Sequence, residues 1–172
     1  GPTVLRRRRL HTLGVGDAVD VTKPYLVVMQ HPVTSEIGSN RGHVEQTLQA
    51  VHELQIPAIW FWPNVDAGTD EVSKAIRTFR ELKIPAHIRF LKYLPPDKFI
   101  GLLKGAACLV GNSSTGIKEC SYLGVPAVNV GSRQSGRLRA SNVIDVSYEA
   151  SAIKAAIMAQ IHHGRYPSSS LY

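Results

Sequence analysis

The chain has 172 residues, and its 20 Lys and Arg against 13 Asp and Glu give a formal net charge of +7. This length is typical of one domain, and 44% hydrophobic residues exclude a disordered chain. No apolar run approaches the roughly 20 residues that span a bilayer, and the stretch 1–14 lacks the apolar segment of a secretory signal. Only Cys108 and Cys120 are present, which favours a reducing compartment and predicts a cytoplasmic protein.

Four consecutive arginines, Arg6–Arg9, supply more than half of the positive excess. Such a run can bind the phosphate backbone of a nucleic acid, but neither aromatics nor a recognisable reading helix accompany it. We therefore favour a solvated segment, with a nucleic-acid-binding module as the alternative. The stretch 1–23 is predicted to be an irregular interdomain or leader segment, and 24–172 to be one folded domain.

In chain order, short apolar runs alternate with segments whose apolar residues recur at helical spacing. Strands are predicted at 25–30, 58–62, 87–92, 107–110, 127–130 and 143–146. Helices are predicted at 43–54, 70–82, 97–104, 116–123 and 149–162. This alternation indicates an α/β fold, a Rossmann-like parallel sheet with helices on both faces.

Polar, small or turn-forming residues follow five consecutive strands. They occupy 30–34, 63–68, 93–96, 111–116 and 131–137. Ligands of such folds bind at the carboxyl ends of the strands, so these segments predict a site. His31 ends the first strand, where it is either a structural histidine or a group that contacts a ligand or moves a proton near neutral pH.

The segment 111–119 carries the sharpest local signal. Gly111 permits a tight turn, Asn112 and Ser113 suit a helix N-cap, and Ser114 offers a hydroxyl where the predicted helix starts. The free amides of a helix start bind phosphate, and Glu119 is an acceptor suited to ribose hydroxyls. The alternative is an ordinary N-cap with a solvated glutamate.

Arg133 and Arg137 follow the fifth strand in a glycine-flanked loop. They either neutralise a diphosphate or serve solubility at the surface. No cluster of acidic residues follows the predicted strands, so the sequence does not indicate a metal site. Together, the segment 111–119, His31 and the arginine loop predict a nucleotide-binding half-site.

The string GNSSTGIKE, followed by LGVPAVNVGSRQSGR, resembles the C-terminal domain of the UDP-N-acetylglucosamine 2-epimerase family. QHPVTSE and FWPNVDAG are similar to its hydrolysing branch, which makes ManNAc for sialic-acid-type sugars. Nonhydrolysing members usually have a charged His-Arg-Arg-Glu-Asn-like string where this chain has His31-Pro32-Val33-Thr34. The resemblance covers 24–172 and implies one half of a GT-B architecture, in which two Rossmann-like halves enclose the active site.

The resemblance implies a UDP-GlcNAc or related UDP-sugar substrate, no cofactor, and a reaction that gives ManNAc and UDP. It also implies that seven residues line the cleft. They are His31 (catalysis), Asn64 (ligand contact), Leu94 (uracil, through its backbone), Ser113 and Ser114 (diphosphate), Glu119 (ribose hydroxyls) and Arg133 (phosphate).

The family's N-terminal half, with its acidic catalytic groups, has no counterpart in this sequence. We therefore expect the chain to bind UDP without epimerising alone, and its expected partners are that half and further copies of itself. A GT-B glycosyltransferase, which also holds a sugar nucleotide through a serine and glycine loop and a ribose-binding glutamate, is the alternative within the same fold.

Overall fold

The computed structural model describes residues 19–63 and 69–171, together with the backbone of Gly14–Val15. Its strands are β1 (Gly14–Val15), β2 (Leu26–Met29), β3 (Ala58–Phe61), β4 (Ile88–Leu91), β5 (Cys108–Gly111), β6 (Ala127–Val130) and β7 (Val143–Val146). Its α-helices are α1 (Asn40–Leu54), α2 (Thr69–Lys83), α3 (Pro96–Lys104), α4 (Glu119–Leu123) and α5 (Ala150–His163). Two 3₁₀ turns cover Thr34–Glu36 and Ser114–Gly116. The arginine run Arg6–Arg9 lies outside the described residues.

The strands form one sheet in the order β1-β4-β3-β2-β5-β6-β7. Strands β2 to β7 pair in parallel, which confirms the predicted parallel sheet. β1 pairs antiparallel with β4 at the edge, inside the stretch predicted to be irregular. A two-residue strand has no periodicity to detect, so the sequence could not indicate it.

Helices cover both faces of the sheet, as predicted. Along β2, Leu26 and Val28 belong to one apolar cluster and Val27 to the other, because successive side chains of a strand point to opposite faces. The first cluster includes residues of α1, α2 and α5, and the second includes residues of α3 and α4. Val19 and Val21, which precede the predicted domain boundary at residue 24, also pack into the second cluster.

The predicted helix at 116–123 is the main departure from expectation. The chain instead makes the 3₁₀ turn Ser114–Gly116, and α4 begins only at Glu119. The Oγ atom of Ser113 accepts a hydrogen bond from the amide of Thr115 at 3.2 Å, which favours the tighter turn. α1, in contrast, begins three residues before the predicted position 43.

Both cysteines are buried thiols. Cys108 is fully buried in the first apolar cluster, as predicted for a small packed hydrophobe, and Cys120 is fully buried in the second. Burial raises the pKa of each thiol far above its usual value, because the charged thiolate loses its hydration. These side chains therefore contribute packing rather than reactivity.

Across the described ranges, none of the helices combines the length and the apolar character that crossing a membrane requires.

Candidate functional site

Three predicted site segments meet at the side of the sheet where the parallel strands have their carboxyl ends. His31 follows β2, Ser113 and Ser114 follow β5, and Arg133 follows β6. β2, β5 and β6 are consecutive neighbours in the sheet and run in parallel, so their carboxyl ends lie side by side. The structure thus brings together four of the seven predicted residues.

Asn112 joins these three segments. Its carboxamide Oδ1 accepts a hydrogen bond from the backbone N–H of His31 at 2.7 Å, and its Nδ2 donates to the backbone oxygen of His31 at 2.8 Å. Its backbone oxygen accepts from Arg133 Nη1 at 3.1 Å and from Gln134 Nε2 at 3.0 Å. Asn112 is only 1% exposed, so these bonds are shielded from competing water.

Gly111 allows the loop after β5 to lie this close to β2. Its φ is +134°, and a Cβ atom at this position would lie 2.1 Å from the backbone oxygen of Met29. Only glycine fits such a backbone and such an approach. The adjacent amide of Asn112 donates to the same Met29 oxygen at 3.0 Å.

A second asparagine holds the segment after His31. Asn40 Oδ1 accepts from the backbone N–H of Val33 at 2.8 Å, while its Nδ2 donates to the Val33 oxygen at 3.2 Å and to Glu71 Oε2 at 3.0 Å. Glu71 Oε1 in turn accepts from the amide of Gly38 at 2.7 Å. Asparagine carboxamides thus fix the backbone at both His31 and Val33.

The half-buried serines after β5 supply side chains rather than a helix start. The amides at 115–118 already bond to Ser113 or Ser114, for example Lys118 N–H to the Ser114 oxygen at 2.9 Å. The segment predicted to start a helix is therefore a 3₁₀ turn that uses the amides at 115–118 internally. The Ser113 and Ser114 hydroxyls are polar groups that this turn presents at the strand end.

Glu119 and Leu94 lie on the α3 and α4 side of the sheet. Glu119 is exposed and lines a groove of about 390 Å³ with Ile100 and Tyr122. Leu94 comes just before α3, and its side chain is 7% exposed in the second apolar cluster. Its backbone is therefore the part that a ligand can meet. Asn64 lies outside the described residues.

The loop after β6 is organised by Arg139. Its Nε donates to Asp145 Oδ2 at 2.7 Å, and its Nη2 donates to the backbone oxygen of Gln134 at 3.0 Å. Gln134 and Arg133 both reach the Asn112 backbone oxygen, so Arg139 supports the contact indirectly. Arg137 is exposed, and its backbone oxygen is a further acceptor for Arg139.

Within the described ranges, no group of three or more His, Cys, Asp or Glu side chains is arranged to hold a metal ion.

The sequence did not reveal the partners of Asn112, Asn40 or Arg139. Asn112 was expected to cap a helix, but its side chain bonds to a residue 81 positions away. No spacing rule indicates such a pairing. The one available signal was the concentration of polar residues after neighbouring strands, which points to an edge but not to individual contacts.

Sequence comparisons match this chain to known enzymes. The profile of the family described as UDP-N-acetylglucosamine 2-epimerase matches residues 6–170. The UDP-N-acetylglucosamine 2-epimerase of Neisseria meningitidis is 33% identical over 150 residues, which cover 86% of this chain and 38% of that protein. The UDP-N,N'-diacetylbacillosamine 2-epimerase (hydrolyzing) of Legionella pneumophila is 30% identical over 153 residues, which cover 89% of this chain and 40% of that protein.

The fold also matches a solved structure. Methanocaldococcus jannaschii UDP-GlcNAc 2-epimerase, crystallised with UDP-GlcNAc and UDP, aligns with a TM-score of 0.67 at 16% identity. The match covers 96% of this chain and 45% of that chain. It confirms the predicted architecture, one Rossmann-like half of a GT-B fold. The chain spans less than half the length of each of these three proteins.

Proposed function

We propose a function from one premise: the chain belongs to the UDP-N-acetylglucosamine 2-epimerase family. It is the UDP-binding domain of a hydrolysing 2-epimerase, an enzyme that converts UDP-GlcNAc and water to ManNAc and UDP. The QHPVTSE motif after β2 supports the hydrolysing branch, as does the similarity to the Legionella enzyme, which is named as hydrolysing. A related UDP-sugar with two acetamido groups is the alternative substrate within the same proposal.

The observation that carries this proposal is the junction at Asn112. A UDP-sugar needs hydrogen-bond donors around its diphosphate and a group that can move protons near its sugar. Asn112 holds Arg133, the serine turn and His31 at three adjacent strand ends through bonds of 2.7 to 3.1 Å. This arrangement supplies both kinds of group at the edge where nucleotides bind in such sheets.

The proposed roles of the individual residues follow from their positions. Ser113, Ser114 and Arg133 bind the diphosphate, and Glu119 accepts hydrogen bonds from the ribose hydroxyls beside the α3–α4 groove. The backbone at Leu94 contacts uracil, since its side chain belongs to the core. His31 and Asn64 contact the ligand on the sugar side.

The reaction that we propose begins with removal of the proton at C2 of the sugar. The C1–O bond then breaks, UDP leaves with the electron pair, and a C1–C2 double bond forms. Water adds across that bond, with a proton at C2 and hydroxyl at C1, and ManNAc results. Arg133 and the serine hydroxyls stabilise the negative charge on the departing UDP, and His31 is suited to proton transfer because histidine titrates near neutrality.

Carboxylates that complete this acid–base chemistry belong to the second half of the proposed two-domain enzyme. That half and further copies of the chain are its proposed partners. We assign the protein to the cytoplasm on the ground of its two buried free thiols.

Calorimetric titration of the chain with UDP tests the proposal. We expect saturable binding that weakens about tenfold in Ser113→Ala and Glu119→Ala, since each loses a hydrogen bond to a charged or polyhydroxyl group. Ser151→Ala and Glu81→Ala change exposed residues of α5 and α2 and serve as matched controls with unchanged affinity. No binding at millimolar UDP, or equal binding by all variants, would contradict the proposal.

A further inference from the structure

A cluster centred on the Glu36 carboxylate lies beside the strand-end site. Glu36 ends the 3₁₀ turn after His31. Its Oε1 accepts a hydrogen bond from Ser132 Oγ at 2.8 Å, and its Oε2 accepts from the Tyr148 hydroxyl at 2.9 Å. His43 Nδ1 lies 3.3 Å from the same Oε2. The side chains of Glu36 and His43 are each 24% exposed, whereas Ser132 is exposed, so the cluster is partly buried and its Ser132 end is open to solvent.

The Tyr148 ring adds packing to these polar contacts. It stacks on the His43 ring with centroids 3.5 Å apart and planes within 2°. Gly131 lies against the same ring, because a Cβ atom at that position would come 2.2 Å from Tyr148 Cζ. The φ of Gly131 is +80°, a conformation that glycine adopts readily. Burial and the Glu36 hydrogen bond raise the pKa of the Tyr148 phenol above its ordinary value.

The contacts of the cluster converge on three consecutive residues of the loop after β6. Gly131 packs on Tyr148, Ser132 bonds to Glu36, and Arg133 bonds through its side chain to the Asn112 oxygen. The loop backbone is therefore anchored immediately before Arg133. A long cationic side chain loses rotamer and backbone freedom when it binds an anion, and an anchored backbone lowers that loss.

We propose that Glu36 is a positioning residue that fixes the backbone before Arg133, so that the guanidinium meets the diphosphate of the nucleotide sugar. This inference rests on the proposed function. Glu36 itself does not touch the substrate in this role. It acts through Ser132 and Tyr148, and it couples the segment that carries His31 to the segment that carries Arg133.

The test compares UDP with uridine, which has the same base and ribose but no phosphate. Glu36→Ala is expected to weaken UDP binding by the chain about tenfold and to leave uridine binding, followed by NMR titration, unchanged. A purely structural role for Glu36 would weaken both ligands together. Tyr148→Phe, which removes one of the two hydroxyl donors, is expected to give a smaller loss for UDP.

A matched control and a second background complete the experiment. Glu53→Ala removes a carboxylate on α1 that bonds to Gln49 and Lys154, and we expect it to leave UDP binding unchanged. In an Arg133→Ala background, Glu36→Ala is expected to cause little further loss, because the group that it positions is absent.

The outcomes separate this inference from the function on which it rests. If the unaltered chain fails to bind UDP, the proposed function fails and this inference fails with it. If UDP binds and Arg133→Ala weakens it, while Glu36→Ala binds normally, only the role of Glu36 is overturned. Two other results also overturn that role. One is that Glu36→Ala weakens uridine binding as much as UDP binding, and the other is that Glu36→Ala weakens UDP binding as much in the Arg133→Ala background as in the unaltered chain.

Discussion

The carboxamide of Asn112 pairs with both backbone polar groups of His31, accepting from its N–H at 2.7 Å and donating to its oxygen at 2.8 Å. This pairing resembles one rung of a β-ladder, made by a side chain just beyond the ends of β2 and β5. It gives hydrogen-bond partners to two backbone groups of a buried residue beyond the end of the strand.

Asn112→Ala is expected to lower the free energy of unfolding by about 3 kcal/mol, since it removes both hydrogen bonds between the Asn112 carboxamide and the buried backbone of His31. Gln160→Ala is the matched control, because Gln160 is 0% exposed and its Nε2 donates to the backbone oxygens of Ala127 and Asn142, each at 2.8 Å. Ala127 begins β6, at the amino-terminal end of the sheet and away from the serine turn. Denaturant unfolding should show similar losses for both variants, whereas UDP titration should show a loss only for Asn112→Ala.

Gly111→Ala is expected to destabilise the chain by about 3 kcal/mol or more, because the new Cβ would lie 2.1 Å from the Met29 oxygen at a strained φ. Gly42→Ala is a control of the opposite sign. Gly42 lies inside α1 with no atom within 4 Å of an added Cβ, so alanine should stabilise by about 0.5–1 kcal/mol. Thermal unfolding of the two variants measures both effects, and an unchanged midpoint for Gly111→Ala would contradict the argument from close approach.

Stability is expected to fall as the pH drops below about 6.5, the ordinary pKa of histidine. Burial lowers the pKa of His87 in the folded chain, outweighing its contact with the Val51 oxygen at 3.2 Å, and the neighbouring His52 lowers it further. Below pH 6.5 the unfolded state therefore binds more protons than the folded state, and protonation favours unfolding. Denaturant titrations at pH 7.5 and pH 5.5 check this. His87→Gln should reduce the difference in stability between the two pH values. An undiminished difference would show that other groups cause the pH dependence.

Arg139→Lys is expected to weaken UDP binding about three- to fivefold, because lysine lacks the planar guanidinium with which Arg139 bonds to Asp145, the Arg137 oxygen and the Gln134 oxygen from three different nitrogens. The loop that carries Arg133 then loses part of its support. Arg165→Lys is the matched control, since Arg165 also donates to a backbone oxygen, that of Lys104, at the amino-terminal edge of the sheet. Calorimetry should find normal affinity in the control. A normal affinity in Arg139→Lys would show that the loop is held without it.

Local patterns predicted the elements well and their ends less well. The strands and the long helices were predicted because burial imposes periods of 2 and 3.6 residues on the sequence. The predicted start of α4 was wrong, because the Ser113 hydroxyl accepts a hydrogen bond from the Thr115 amide and favours a 3₁₀ turn. A capping residue and a turn-forming residue look alike in sequence, since the same side-chain oxygen serves both.

The candidate site was predictable as an edge but not as a set of contacts. His31, Ser113 and Arg133 were expected together because each follows a predicted parallel strand. Glu36 and Asn40 were not predicted, since their hydrogen bonds depend on how the loop after β2 folds over the edge. Ser132, which bonds to Glu36, is 96 residues away in the chain.

By itself, the sequence determined the alternation of strands and helices, the parallel sheet, the edge that carries the polar residues, and the resemblance that identified the family. The tertiary structure decided that β5 lies between β2 and β6, and therefore that Asn112 reaches both His31 and Arg133. The physical reason is the range of the interactions. Periodicity and turn sterics act within a few residues, whereas strand order and side-chain partners depend on packing between segments far apart in the chain.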